Sequence, residues 1–277
     1  VSKKQVKSKA KKAKKDKKAK KNETAKGPKA EATSSGLPVV DPAAGVERVL
    51  VITAHPDDVD FGAAGTVARM TSAGVEVTYC LVTDGDAGGS DRSSTAEQRA
   101  AGRRIEQTNA AAKVGVTELF FLGHLDGQVS VTLDLRKDLS RVIRQVRPDR
   151  VLCQSPVLNL DRIYASHPDH LAAGAAALAA VYPDARNPFA FPELLNEGFD
   201  AHTVPEVWVM AMTDPTLVVD TTEVIDQKIE ALRCHASQLA DPDAVDGLLR
   251  GWGQMVAEAA GLPAGRTAEA FRRVDTA

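Results

Sequence analysis

The chain has 277 residues, a net charge of −2 and 43% hydrophobic residues, enough length and apolar content to bury a full core in one large domain or two small ones. Its longest small-apolar run, Leu171 to Tyr182, is mostly alanine and too short to cross a bilayer. Paired glycines do not follow the first apolar run and there is no phosphate-binding loop with its lysine, which argues against a nicotinamide- or nucleotide-dependent enzyme.

The near-neutral charge hides an asymmetry. Residues 1–31 carry fourteen lysines against Asp16, Glu23 and Glu31, about +11, which leaves about −13 on the remainder. Residues 1–40 therefore read as a disordered Lys-rich tail, because almost no large apolar side chain is present to offset the entropy of ordering. Such an arm attracts polyanions without sequence specificity, although a solvating or processing extension has the same composition. No aromatics are interleaved for base stacking. Polar Asn22-Glu23-Thr24 and Ser34-Ser35-Gly36 follow the basic residues where a secretory signal needs an apolar stretch. The chain begins at Val1 rather than Met, which leaves room for a leader already removed. Cys80, Cys153 and Cys234 are odd in number, lack metal or redox spacing, and read as inert thiols of a soluble, cytoplasmic protein.

From about Val46, short β-rich runs alternate with amphipathic stretches, the pattern of a mainly parallel sheet flanked by helices, here expected as one domain over residues 45–277. Val49–Thr53 is the first predicted strand, followed by a helix from about Phe61 to Ser72 and a second strand over Val75–Val82. The Gly/Asp stretch Thr83–Gly89 forms a loop at its carboxyl end. Thr95–Val114 reads as a long helix stopped by Gly115, Leu119–Leu122 as a strand, Leu133–Val146 as a helix and Arg150–Gln154 as a fourth strand. A mouth loop over Ser155–Ser166 leads to a helix over Pro168–Val181. Late strands are expected at Glu206–Ala211 and Leu217–Asp220, with helices from Thr221 to the end.

Two clusters fall where open α/β sheets bind ligands, beyond the carboxyl ends of strands: Ala54-His55-Pro56-Asp57-Asp58 and Ser166-His167-Pro168-Asp169-His170. Imidazoles and carboxylates suit a divalent ion such as zinc, which in catalytic sites takes three protein ligands. His55 and Asp58 are near enough on one turn to share an ion that His170 completes. Asp57 is then left beside it to take a proton, and His167 to stabilise an oxyanion or protonate a leaving amine, with Asp169 orienting that ring. The competing account is turn formation and helix capping, which serves for one cluster more readily than for two. His124, His202 and His235 stand alone and read as structural. Arg103 and Asp126 are weaker functional candidates from spacing alone.

The chain resembles the PIG-L/LmbE-like family of zinc-dependent N-deacetylases. The matching residues are Ala-His-Pro-Asp-Asp at 54–58, Thr83-x-Gly85-Asp86-x-Gly88, Arg103-Arg104-x-Glu106 with Ala110-Ala111 and Gly115-Val116, and Phe121-Leu122-Gly123-x-x-Asp126-Gly127. His167-Pro168-Asp169-His170 and Lys228-x-x-Ala231-Leu232-x-x-His235-x-Ser237-Gln238 complete the set. The resemblance runs from about Val46 to Phe271 and implies a Rossmann-like fold. It also implies action on N-acetylglucosamine conjugates, such as glycosylphosphatidylinositol precursors and the sugar precursors of mycothiol and bacillithiol. It assigns zinc, for which another divalent ion such as Fe2+ could stand, to His55, Asp58 and His170, Asp57 as general base, and His167 as acid or oxyanion partner supported by Asp169; the choice between the two aspartates comes from the family. Arg103 and Asp126 match positions implied to grip sugar hydroxyls. Two departures stand out. Val59 precedes the acid Asp60 where many members have an acid directly, and Tyr164 lies three positions before His167 where mycothiol-type members have a tyrosine two before.

The expectation is a metal-dependent hydrolase removing acetyl from an N-acetylamino sugar, a small-molecule substrate. The alternatives are an amidase for larger acyl groups, or a non-catalytic sugar- or polyanion-binding protein on the same fold. A homo-oligomer is compatible with all three.

Overall fold

The computed structural model describes residues 36–211 and 213–276. The tail expected over residues 1–40 thus lies, as far as Ser35, outside the described residues.

Strand β1 (Arg48–Thr53) reads Arg-Val-Leu-Val-Ile-Thr and is buried from Val49 onward. A strand apolar at consecutive positions is one covered on both faces. Val49 and Val51 enter one core cluster while Leu50 and Ile52 enter the other. The remaining strands are β2 (Glu76–Thr83), β3 (Glu118–His124), β4 (Arg150–Cys153), β5 (Glu206–Met210), β6 (Leu217–Asp220) and β7 (Ala268–Asp275). They form one seven-stranded sheet in the order β3-β2-β1-β4-β5-β7-β6, parallel through β5, with β7 antiparallel to both neighbours. The mainly parallel α/β class is as expected. From β1 the chain winds outward to β2 and β3, then returns to β4 on β1's other side, so the crevice of this doubly wound sheet opens between β1 and β4.

One face is covered by α2 (Ala64–Ser72) and α3 (Ala96–Lys113), which bury Ala64, Val67, Ala68, Met70, Ala110 and Ala111 against the sheet. The Thr95 side chain accepts from Gln98 N and Gln98 Oε1 accepts from Thr95 N, a capping box that starts α3 where predicted. The other face is covered by α4 (Leu133–Val146) and α5 (Pro168–Ala179). Leu135, Leu139, Val142 and Ile143 make one stripe of α4, and Ala173, Ala176 and Ala177 let α5 approach closely. The helix predicted over 61–72 is broken into α1 (Asp58–Gly62) and α2 by Ala63, at φ −147°. Within the predicted mouth loop, Leu160–Ser166 forms a 3-10 stretch, and a short α6 (Pro192–Asn196) precedes β5.

The end of the chain corrects the sequence reading. Helices were expected from Thr221 onward, and α7 (Ile225–Arg233) and α8 (Ala244–Ala259) are present, but residues 268–275 then form β7 between β5 and β6. At the opposite end, residues 38–40 run beside β6: Val218 N donates to Pro38 O at 3.0 Å and Val40 N to Val218 O at 2.9 Å. Among the described residues no helix is long and apolar enough to cross a membrane.

Candidate active site

The loop after β1 is fixed from both neighbouring strands. Ala54 O accepts from Thr83 N and Oγ1 at the end of β2, at 2.8 and 2.9 Å, and Ala54 N donates to Gln154 Oε1 just past β4 at 2.8 Å. His55 N then donates to Asp58 Oδ2 at 2.7 Å, folding the turn so that both side chains face the crevice. The second cluster arrives on α5, which Pro168 begins. A Cβ at Gly174 would lie 2.3 Å from Gln154 O, so glycine there lets α5 press against the end of β4 and bring His170 to His55.

The three predicted metal ligands converge. His55 Nδ1 lies 3.2 Å from His170 Nε2 and 3.4 Å from Asp58 Oδ2, and His170 Nε2 lies 2.9 Å from Asp58 Oδ1. A tetrahedral ion with zinc-like bonds needs donor separations of about 3.3 Å, so this set fits one ion with small adjustments. His167 stands beside the same pair, its ring 5.0 Å from that of His55, and His55, His167 and His170 have donor atoms close enough to share an ion.

The other edge of His55 faces two carboxylates, with Nε2 3.1 Å from Asp126 Oδ1 and 3.2 Å from Asp169 Oδ2. These three also group as a cation site. The carboxylates, however, already accept backbone donors: Gly127 N and Val129 N to Asp169, at 2.7 and 3.2 Å, and Ala87 N to Asp126 at 3.1 Å. Asp169 is only 1% exposed. Carboxylates held in this way are suited to accept Nε2–H and fix the tautomer that leaves the Nδ1 lone pair free to bind a metal.

Electrostatics agree with a cation here. Burial opposes a charged His55 ring, but hydrogen bonds to Asp126 and Asp58 outweigh it and raise its pKa to about 11. Asp58 is pulled the other way: burial would raise its carboxyl, and the His170 and His55 rings hold it well below the usual range. A divalent ion bound here would take the place of that ring proton.

Asp57 sits beside the ligand set with a left-handed backbone, φ 88°, which costs a non-glycine residue roughly 1–3 kcal/mol unless its surroundings hold it. Arg103 Nη2 donates to Asp57 Oδ2 at 2.9 Å and also to Pro56 O. Burial, and then the neighbouring Asp58 charge, raise the Asp57 pKa to about 7 against the pull of Arg103. On the opposite side, His167 Nδ1 accepts from Asp169 N at 3.2 Å, which places the ring proton of the neutral tautomer on Nε2. Burial, and then the His55 and His170 charges, lower the His167 pKa, favouring that neutral form.

Three assignments differ from expectation. Asp169 meets His167 only through its backbone N–H, and its carboxylate is turned to His55. Asp126, expected at sugar hydroxyls, also faces His55. Arg103 is 5% exposed, at the cavity wall, and bonds Pro56 O and Asp57. Gly85, at φ 67°, lets the loop after β2 close over that guanidinium, since a Cβ there would lie 2.4 Å from Arg103 Nη1. His124 and His202 serve the fold, bonding Asp138 and Pro148 O. His235 does not stand alone: it joins Asp60 and Gln107 in a buried network beneath Asp57. Gln107 was missed because a glutamine in mid-helix carries no spacing signal; His235 lay within a matching motif that offered a hint.

The site opens into a cavity of about 1290 Å3 that runs from His55, Asp57 and His170 past Phe61 and Trp252 to Val256. Tyr164 and Arg162 rim it, Arg162 Nε donating to Tyr164 Oη at 3.0 Å.

Residues 50–181 match the PIG-L family, described as GlcNAc-PI de-N-acetylase. Diacetylchitobiose deacetylase of Thermococcus kodakarensis is 34% identical over 196 residues, covering 71% of this chain and 72% of that protein. A probable N-acetyl-alpha-D-glucosaminyl L-malate deacetylase 2 of Bacillus anthracis is 30% identical over 201 residues, 70% of this chain and 82% of that one. Among solved structures, N,N'-diacetylchitobiose deacetylase from Pyrococcus horikoshii with its inhibitor MPG matches with a TM-score of 0.78 at 30% identity, covering 86% of this chain and 87% of that chain.

Proposed function

Because this chain belongs to the PIG-L family of de-N-acetylases, we propose that it hydrolyses the acetamide of an N-acetylamino sugar conjugate, giving acetate and a free amine. The observation that carries the reading is the placement of Asp57 and His167 around the converging donors of His55, Asp58 and His170 in one cavity. We assign a divalent ion, zinc by donor chemistry, to those three residues. Bound there, it supplies Lewis-acid polarisation of the amide carbonyl and of the attacking water.

The chain's own groups do the rest. Asp57 Oδ2 is held by Arg103, which leaves Oδ1 to take a proton from water as it attacks the carbonyl carbon. His167 Nε2–H donates to the carbonyl oxygen as negative charge develops there. Collapse breaks the C–N bond, and the proton collected at Asp57 passes to the departing amine. Asp126 and Asp169 keep the His55 ring oriented throughout.

A second reading, cleavage of a larger acyl conjugate, draws on the cavity, whose volume of about 1290 Å3 exceeds what an acetamido sugar alone fills. Release of acetate against longer acids from N-acylglucosamine conjugates separates the two. Metal-stripped protein reloaded with zinc is expected to bind one equivalent and release acetate, with kcat reduced about 100-fold or more in Asp57→Asn. A protein that takes up no metal and releases no acid from any conjugate overturns the assignment.

A further inference from the structure

Directly beneath Asp57 lies a polar chain that reaches neither the cavity nor the solvent. Asp57 N donates to Gln107 Oε1 at 2.8 Å, Gln107 Nε2 donates to Asp60 Oδ2 at 3.0 Å, and His235 Nε2 contacts the same oxygen at 2.9 Å. Gln107, Asp60 and His235 are all 0% exposed, and none lines the cavity. They come from three separate places in the chain: α3, α1 and the turn after α7.

We propose that Gln107, Asp60 and His235 are positioning residues that hold Asp57 in its left-handed backbone conformation and thereby aim its carboxylate at the attacking water. The inference rests on Asp57 being the general base. Two constraints are needed to aim a short side chain: one on the carboxylate and one on the backbone that carries it. Arg103 supplies the first at Oδ2. Gln107 supplies the second at the peptide nitrogen, because the Asp57 N–H can only donate and fixes the amide oxygen toward itself, while Arg103 holds Pro56 O of the same peptide and Asp60 N and Phe61 N hold Asp57 O. The amide's other end can keep that orientation only if its NH2 finds an acceptor, which Asp60 Oδ2 provides. His235 binds that oxygen from the far side and prevents the Asp60 side chain from rotating away.

The network has a stability cost that a filler would avoid. Asp60 Oδ1 and His235 Nδ1 are buried without a hydrogen-bond partner among the described residues. Apolar side chains of equal volume would fill the same space without orphaned polar atoms. What they would not do is hold Asp57 N–H at a strained φ. A base displaced by about 1 Å costs on the order of 100-fold in rate while leaving substrate binding almost untouched.

The test uses the full chain, metal-loaded, with N,N'-diacetylchitobiose as probe and acetate release as signal, each rate expressed per metal-loaded folded protein. Gln107→Met removes both hydrogen bonds at similar length, and Asp60→Asn allows the Gln107 amide to turn over. Both are expected to lower kcat about 10- to 100-fold with KM within about twofold and zinc content unchanged. A kcat within twofold of wild type in both variants, or a loss confined to zinc content or KM, overturns the proposal. If Gln107→Met does not fold, Asp60→Asn is read alone; if neither folds, the network belongs to folding and the proposal fails. Asp57→Asn, run alongside, separates the premises: wild-type kcat in that variant defeats the base reading itself, whereas its inactivity beside fully active network variants defeats only the positioning role.

Discussion

At the scale of single residues, the site is built from side chains that each bond in two directions. His55 turns Nδ1 to Asp58 and His170 and Nε2 to Asp126 and Asp169, so its usefulness as a ligand depends on the carboxylates behind it. Asp169→Asn replaces an acceptor of Nε2–H with a group that can present a donor to it. It is expected to weaken zinc binding about 10- to 100-fold in competition with a chelator, with far-UV circular dichroism unchanged. Unaltered affinity would show that Asp169 acts elsewhere. The proposed ligands, with Asp57 and His167, could be grouped from the sequence because strand ends concentrate them into two short clusters. The supporting residues could not. Arg103 and Asp126 drew notice from motif position, but the direction of a side chain is set by packing, and at the edge of the cavity Arg103 bonds Asp57 while Asp126 bonds His55. Gln107 bonds Asp57 across 50 positions and His235 bonds Asp60 across 175, separations that no local pattern encodes.

At the scale of elements, β7 joins the C-terminal part of the chain to the first cluster. Glu269 on β7 accepts from Gly65 N and Thr66 N at the start of α2, at 3.0 and 2.7 Å, and from Lys228 Nζ on α7 at 2.5 Å. Lys228 also donates to Phe61 O at 2.8 Å, and the pair is 6% and 5% exposed. Lys228→Met leaves the Glu269 charge buried with only the helix N-terminus to satisfy it. It is expected to lower stability by about 3 kcal/mol, read as a reduced urea midpoint at unchanged slope. A midpoint equal to wild type would mean that α2 alone compensates the charge. The sequence misled at this element for a physical reason. Ala268-Glu-Ala-Phe-Arg-Arg is built from good helix formers, and it is a strand only because β5 and β6 leave a gap that its backbone fills. Strands β1, β2 and β4 were legible because both faces of each are covered, which gives them the apolar runs Val49–Ile52, Tyr79–Val82 and Val151–Cys153.

At the scale of the whole chain, charge is divided between two stretches of sequence: about +11 on residues 1–31 and about −13 on the remainder. The acidic remainder repels polyanions, so any salt-sensitive retention on heparin has to come from the fourteen lysines ahead of Gly36. That makes the arm separable from the proposed reaction, since the proposed ligands, Asp57 and the network beneath it all lie in 55–235. Deleting residues 1–35 is expected to abolish heparin retention at low salt and to leave kcat and KM for acetate release within twofold of the full chain. Retention unchanged by the deletion would reject the polyanion reading of the tail. A changed KM would instead draw the tail into substrate binding.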